Sequence, residues 1–73
     1  MRTTFKSGTV NGYYFNVTQA EFQTRRAIDG GRIIKLHIVK GGVEYAHYNE
    51  GWEQLPASDE VKAVYEEITS KYN

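Results

Sequence analysis

The sequence predicts an α+β fold, in which an antiparallel sheet of four or five strands (two hairpins) carries one C-terminal helix on one face. Three observations predict it. Asn11-Gly12 and Gly41-Gly42 each separate two runs of alternating character, and such pairs close hairpins because both central residues take positive φ. The last part of the chain changes to helical spacing behind a good N-cap. The whole chain is only 73 residues long, a length that suits one domain, residues 1–73.

The elements follow in order. Phe5 to Val10 and Tyr13 to Thr18 form the first hairpin, with Gly12 as a structural turn residue. In the second strand Tyr13, Phe15 and Val17 alternate with Tyr14, Asn16 and Thr18, a period of two. Residues 19–28 read as an extended connection that continues this strand or makes a short one. Asp29-Gly30-Gly31 is a turn. Arg32 to Lys40 is a strand with Ile34, Leu36 and Ile38 on one face and Ile33, Lys35, His37 and Val39 on the other. Val43 to Asn49 is its partner. Gly51 to Ala57 reads as a loop, with Trp52 plugging the gap between sheet and helix. Ser58 caps a helix over 59–71, in which Val61, Val64 or Tyr65, Ile68 and Tyr72 form the apolar stripe.

Composition limits what holds the fold together. A domain of this size buries only about 60% of the surface of its unfolded chain, so the core is thin. There is no cysteine, which excludes disulfides and thiolate metal sites. Six Tyr, three Phe and one Trp argue against disorder. Residues 1–10 lack the apolar core of a signal peptide and no apolar run reaches the roughly 18 residues of a membrane span, so a cytoplasmic protein without membrane contact is expected.

The net charge of zero hides a split. Residues 1–40 hold seven bases and two acids, and residues 41–73 hold two bases and seven acids. This excludes a uniformly basic nucleic-acid binder and a uniformly acidic mimic. It predicts a basic sheet side and an acidic helix side.

Two segments, Gly30-Gly31-Arg32-Ile33-x-Lys35-Leu36 and Tyr48-x-x-Gly51-Trp52, together with Gly8-Thr9-Val10-Asn11-Gly12-Tyr13, resemble an uncharacterised domain-of-unknown-function family of phages, prophages and Gram-positive bacteria. The match spans most of the chain in the same order. Ile34 stands where the family carries Ser, and Asn49-Glu50 stands where it carries Asp-Arg. The resemblance implies a small phage-type protein and supplies no activity.

Candidate chemistry is sparse. Backbone N–H groups at Gly30 and Gly31 could form an anion-binding nest beside Arg32; the plainer reading makes the glycines a turn and pairs Arg32 with Asp29 or a helix carboxylate. Arg25, Arg26, Lys6, Arg32 and Lys35 with Tyr13, Tyr14 and Tyr48 could build a stacking surface for single-stranded nucleic acid. Counting back from Gly41-Gly42 sets His37 opposite Ala46 and His47 opposite Leu36. The histidines then lie on opposite faces and make no metal site; a one-residue bulge would align them. No nucleophile lies beside a base. No catalytic residue, cofactor or metal is therefore expected. The candidate binding surface is Arg25, Arg26, Arg32, Ile33, Lys35, His37, Tyr14 and Tyr48, with Ile33, His37, Val39, Tyr14 and Lys35 on the face away from the helix. Gly12, Gly30, Gly31, Trp52 and Ser58 are structural. The expected function is that of a non-enzymatic interaction protein of phage or prophage origin, binding a protein partner or itself as a homodimer. The alternative is nucleotide or single-stranded nucleic-acid binding through Arg32, Lys35 and the tyrosines.

Overall fold

The computed structural model describes residues 2–73. Five strands form one antiparallel meander in sequence order: β1 (Thr3–Val10), β2 (Tyr13–Ala20), β3 (Ile33–Lys40), β4 (Val43–Asn49) and β5 (Trp52–Gln54). The helix α1 (Asp59–Tyr72) follows. Both glycine turns behave as expected, with φ of 51° and 82° at Asn11-Gly12 and of 59° and 78° at Gly41-Gly42. Strand β2 continues to Ala20. The chain then runs through a loop with a single 3-10 turn at Ile28–Gly30. The segment read as a plain loop at 51–57 contains the short edge strand β5.

One face of the sheet is sealed by α1. Tyr13, Phe15 and Val17 of β2, Ile33, Leu36 and Ile38 of β3, and Ala46 and Tyr48 of β4 bury against Val61, Val64 and Ile68. Tyr65 and Tyr72 flank this stripe half-buried. Ser58 accepts a hydrogen bond from the Val61 N–H at 3.1 Å, while Asp59 and Glu60 lie in the first turn and Lys71 in the last, as the helix dipole favours. Trp52 meets Tyr48 and Tyr65 edge-on, with centroids 5.0 and 5.5 Å away, but it remains exposed and lies on the outside of the seam between sheet and helix.

Bulges change which residues face the helix. Thr18 pairs with Lys35 but Gln19 with Ile33, so Ile34 is an extra residue. Ile33 therefore joins Leu36 and Ile38 under the helix, and Ile34 packs with Ala20 and Ala27 in a small second cluster. This corrects the strict alternation that places Ile33 on the outer face. A second bulge leaves Tyr45 unpaired between Val39–Glu44 and Ile38–Ala46. As a result His37 pairs with His47 and Leu36 with Tyr48, not with Ala46 and His47 as the unbulged count gives. The cause is solvation. The unbulged register would bury His47 under the helix and expose Tyr48, whereas burying an unpaired polar group costs about 1–3 kcal/mol.

The far end of α1 is clasped to the loop before β3. The Asn73 carboxamide oxygen accepts from Arg32 N–H and Ile33 N–H, each at 3.0 Å, and its Nδ2 donates to Ile28 O at 2.9 Å. A side chain at Gly31 would collide with this carboxamide. Gln19 Nε2 donates to Tyr72 O at 2.7 Å, adding a bond from β2.

Two predictions follow from this packing. Asn73→Ala removes three hydrogen bonds and leaves half-buried amides without a partner. It should lower stability by about 1–3 kcal/mol, read from urea denaturation, with a circular dichroism spectrum unchanged. Tyr48 is the second case. Its hydroxyl donates to Arg26 O at 2.6 Å, and burial first, then the charges of Asp29 and Glu50, push its pKa up. Burial also raises Tyr13 and Tyr65. A raised phenol holds its proton in the folded state after the unfolded chain has lost it. The contribution of these three phenols to stability should therefore be constant in pH below about 10, the ordinary phenol value, and be lost above it. Tyr48→Phe should lose about 0.5–1.5 kcal/mol at neutral pH and flatten part of the alkaline fall, measured as Tm against pH.

Candidate functional site

The sheet face away from α1 is open except around Thr18, which is buried, and the register defines its layout. Three rows cross the strands: Thr9, Tyr14, Val39 and Glu44; then Ser7, Asn16, His37, His47 and Gln54; then Phe5, Thr18, Lys35 and Asn49. The face is mainly polar, with Phe5 and Tyr14 its exposed aromatics. An antiparallel sheet with one wet face reads this way. It differs from the more apolar surface expected, because the bulge has moved Ile33 into the core.

At its centre His37 and His47 stack with ring centroids 4.1 Å apart and planes tilted by 34°. Glu44 lies beside both. His37 Nδ1 is 2.8 Å from Glu44 Oε2. His47 Nδ1 is 3.7 Å from Glu44 Oε1 and 3.7 Å from Glu53 Oε2. A carboxylate only accepts, so a neutral His37 must carry its proton on Nδ1. The β4 bulge makes this group: it turns His47 outward, and a second register shift at Tyr48 leaves Glu53 as the extra residue of β5.

The predicted binding residues do not converge. Tyr14, Lys35 and His37 share the open face. Arg25 and Arg26 sit on the loop after β2, where Arg26 pairs with Glu50 at 3.4 Å in solvent. The half-buried Arg32 donates from Nε to Ala20 O at 3.0 Å, in place of the expected carboxylate. Ile33 and Tyr48 are core residues, 0% and 6% exposed, and offer no surface. Tyr13 is buried as well, so the three tyrosines form no stacking platform. The anion nest is filled from within. Gly30 N–H and Gly31 N–H bond Ala27 O and Ile28 O, and the next two amides bond Asn73. The charge split also resolves differently. Lys6 pairs with the core residue Val17, on the helix side of the sheet, and Lys40 Nζ lies 4.8 Å from the Tyr13 ring centroid on that side. The basic residues thus do not gather opposite the helix.

Sequence reasoning brought His37 and His47 together only on the condition of a one-residue bulge, which the structure contains, and it missed Glu44 and Glu53. The signal that could have found the bulge is the poor fit of a histidine opposite Leu36 under a helix, with Tyr48 outside.

The fold and the open face define a small sheet-and-helix module. The chain belongs to a family of domains of unknown function, DUF7678, whose model matches residues 4–73. Searches of curated proteins and of solved structures find no match. Among the described residues no helix is long and apolar enough to cross a membrane.

The His37–Glu44 bond predicts a tautomer. In chelator-treated buffer at neutral pH, long-range 15N–1H spectra should show the His37 proton on Nδ1. Glu44→Ala should move it to Nε2, the usual site of a free imidazole, while the His47 pattern changes less.

Proposed function

We propose that this protein is a non-enzymatic interaction module, of the phage or prophage type its sequence resembles, and that it works by pairing with a second copy through the outer edge of β1. The observation that carries this reading is β1 itself. It is an eight-residue edge strand in unbroken register with β2, without proline or bulge. Residues Thr3 to Ser7 are exposed, with Phe5 76% exposed. Such an edge is a template for strand addition unless something blunts it; here Lys6 is the single charge.

A two-fold axis through Ser7 sets Phe5 opposite Thr9 and Lys6 opposite Gly8. The two lysines then avoid each other, and both helices lie on the same side of a continuous sheet. The contact is self-complementary, as a two-fold pair requires. The nucleic-acid alternative has less support, because Tyr13 and Tyr48 are in the core and Arg32 is engaged.

Sedimentation equilibrium should give a dimer at high micromolar concentration in low and high salt. Phe5→Lys combined with Ser7→Lys should give a monomer with an unchanged circular dichroism spectrum. A wild-type monomer under all conditions overturns the reading. So does a dimer that survives both substitutions.

A further inference from the structure

We infer that His37, His47 and Glu44, with Glu53 closing the set, form a binding site for one divalent transition-metal ion, Zn2+ in the first instance, on the open face of the sheet. The site is independent of the pairing proposed above.

One ligand atom from each of His37, Glu44 and His47 lies within 4.8 Å of the others. At bond lengths of about 2.0–2.1 Å, two ligands of a tetrahedral zinc ion sit roughly 3.4 Å apart. The 2.8 Å His37–Glu44 separation and the two 3.7 Å separations at His47 bracket that value. The 3.7 Å pairs are too long for hydrogen bonds. His47 Nδ1 therefore faces two carboxylates without bonding either, and a cation between them satisfies all three groups; His37 joins as its proton moves from Nδ1 to Nε2, which frees the Nδ1 lone pair for the ion and breaks the hydrogen bond to Glu44.

The donor chemistry agrees. Two imidazoles and two carboxylates suit Zn2+, Co2+ or Ni2+, whereas Mg2+ and Ca2+ favour all-oxygen sets. Two carboxylates also neutralise the ion. The four residues come from three strands, joined by a bulge on each side of His47. The backbone therefore holds three of the four donors on β3 and β4, and closure needs only side-chain rotation of Glu53. The side chains of His37, His47 and Glu44 are 35%, 22% and 38% exposed, so an ion can enter from solvent. Bound there, the ion would tie β3, β4 and the short edge strand β5 together.

The test is titration calorimetry of the chelator-treated protein with ZnCl2, repeated with CoCl2 followed by visible absorption. The expected result is one ion per chain, intense d–d bands of a four-coordinate Co2+ site, and a Tm that rises with Zn2+ and returns with EDTA. His47→Ala and Glu44→Gln should each weaken binding at least tenfold, and Glu53→Gln less. Glu66→Gln, on the exposed helix face, should leave it unchanged. His47→Gln keeps a polar side chain at the same position and guards against a folding defect. It should also lose the ion while keeping the wild-type circular dichroism spectrum. Absence of saturable binding, equal affinity in the His47 variants, or one ion per two chains would overturn a single-chain site.

Discussion

One helix has to seal one face of a five-stranded sheet, and the rest of the structure follows from that constraint. Fourteen helical residues span about 21 Å, and a helix is roughly 10–12 Å across. Strands lie about 4.8 Å apart. The helix therefore covers the middle of the sheet and leaves the flanks open. Val61, Val64 and Ile68 sit over the strands that carry Phe15, Val17, Leu36, Ile38 and Ala46. Strand β1 lies mostly beyond their reach and stays exposed along its first five residues.

A thin core of this kind tolerates little freedom in the helix. Its first turn is closed by a local cap, and its far end is held by polar contacts beside the packing of Tyr72 on Phe15. Ser58 closes the first turn, and Asn73 binds the loop ahead of β3 while Gln19 holds the Tyr72 carbonyl. On the β4–β5 side Tyr48, Trp52 and Tyr65 pack edge to face, with Trp52 exposed at the outside. The segment Gly30-Gly31-Arg32-Ile33 gains a physical meaning in this setting. Gly31 makes room for the Asn73 carboxamide, Arg32 ties back to β2, and Ile33 enters the core. These are roles in the fold. Next to this segment Ile34 packs in the small cluster with Ala20 and Ala27, and Glu50 pairs with Arg26.

The open face owes its character to the same constraint. Buried positions are claimed first by the residues whose burial gains most, and the strands bulge to deliver them. Tyr48 goes under the helix, so His47 comes out beside His37. Glu44 then lies within reach of both rings. A cluster of imidazoles and carboxylates on a solvated sheet is thus a by-product of core packing, and its geometry is set by the backbone and not by a flexible loop.

The local features of this chain were determined by its sequence alone. Asn11-Gly12 and Gly41-Gly42 demand positive φ, Ser58 caps a helix, and Val61, Val64 and Ile68 repeat at helical spacing. These signals act within a few residues, so each element could be read from its own segment. The registers could not. Alternation along β3 and β4 is nearly even between faces, because Ile33, Ile34, Tyr45 and Tyr48 are all apolar enough for the core. Which of them enters depends on the helix packed above and on the bulges that adjust to it. That decision belongs to the tertiary structure, and with it the meeting of His37, Glu44 and His47, the filling of the glycine turn by Asn73, and the burial of two tyrosines that otherwise resemble a binding platform.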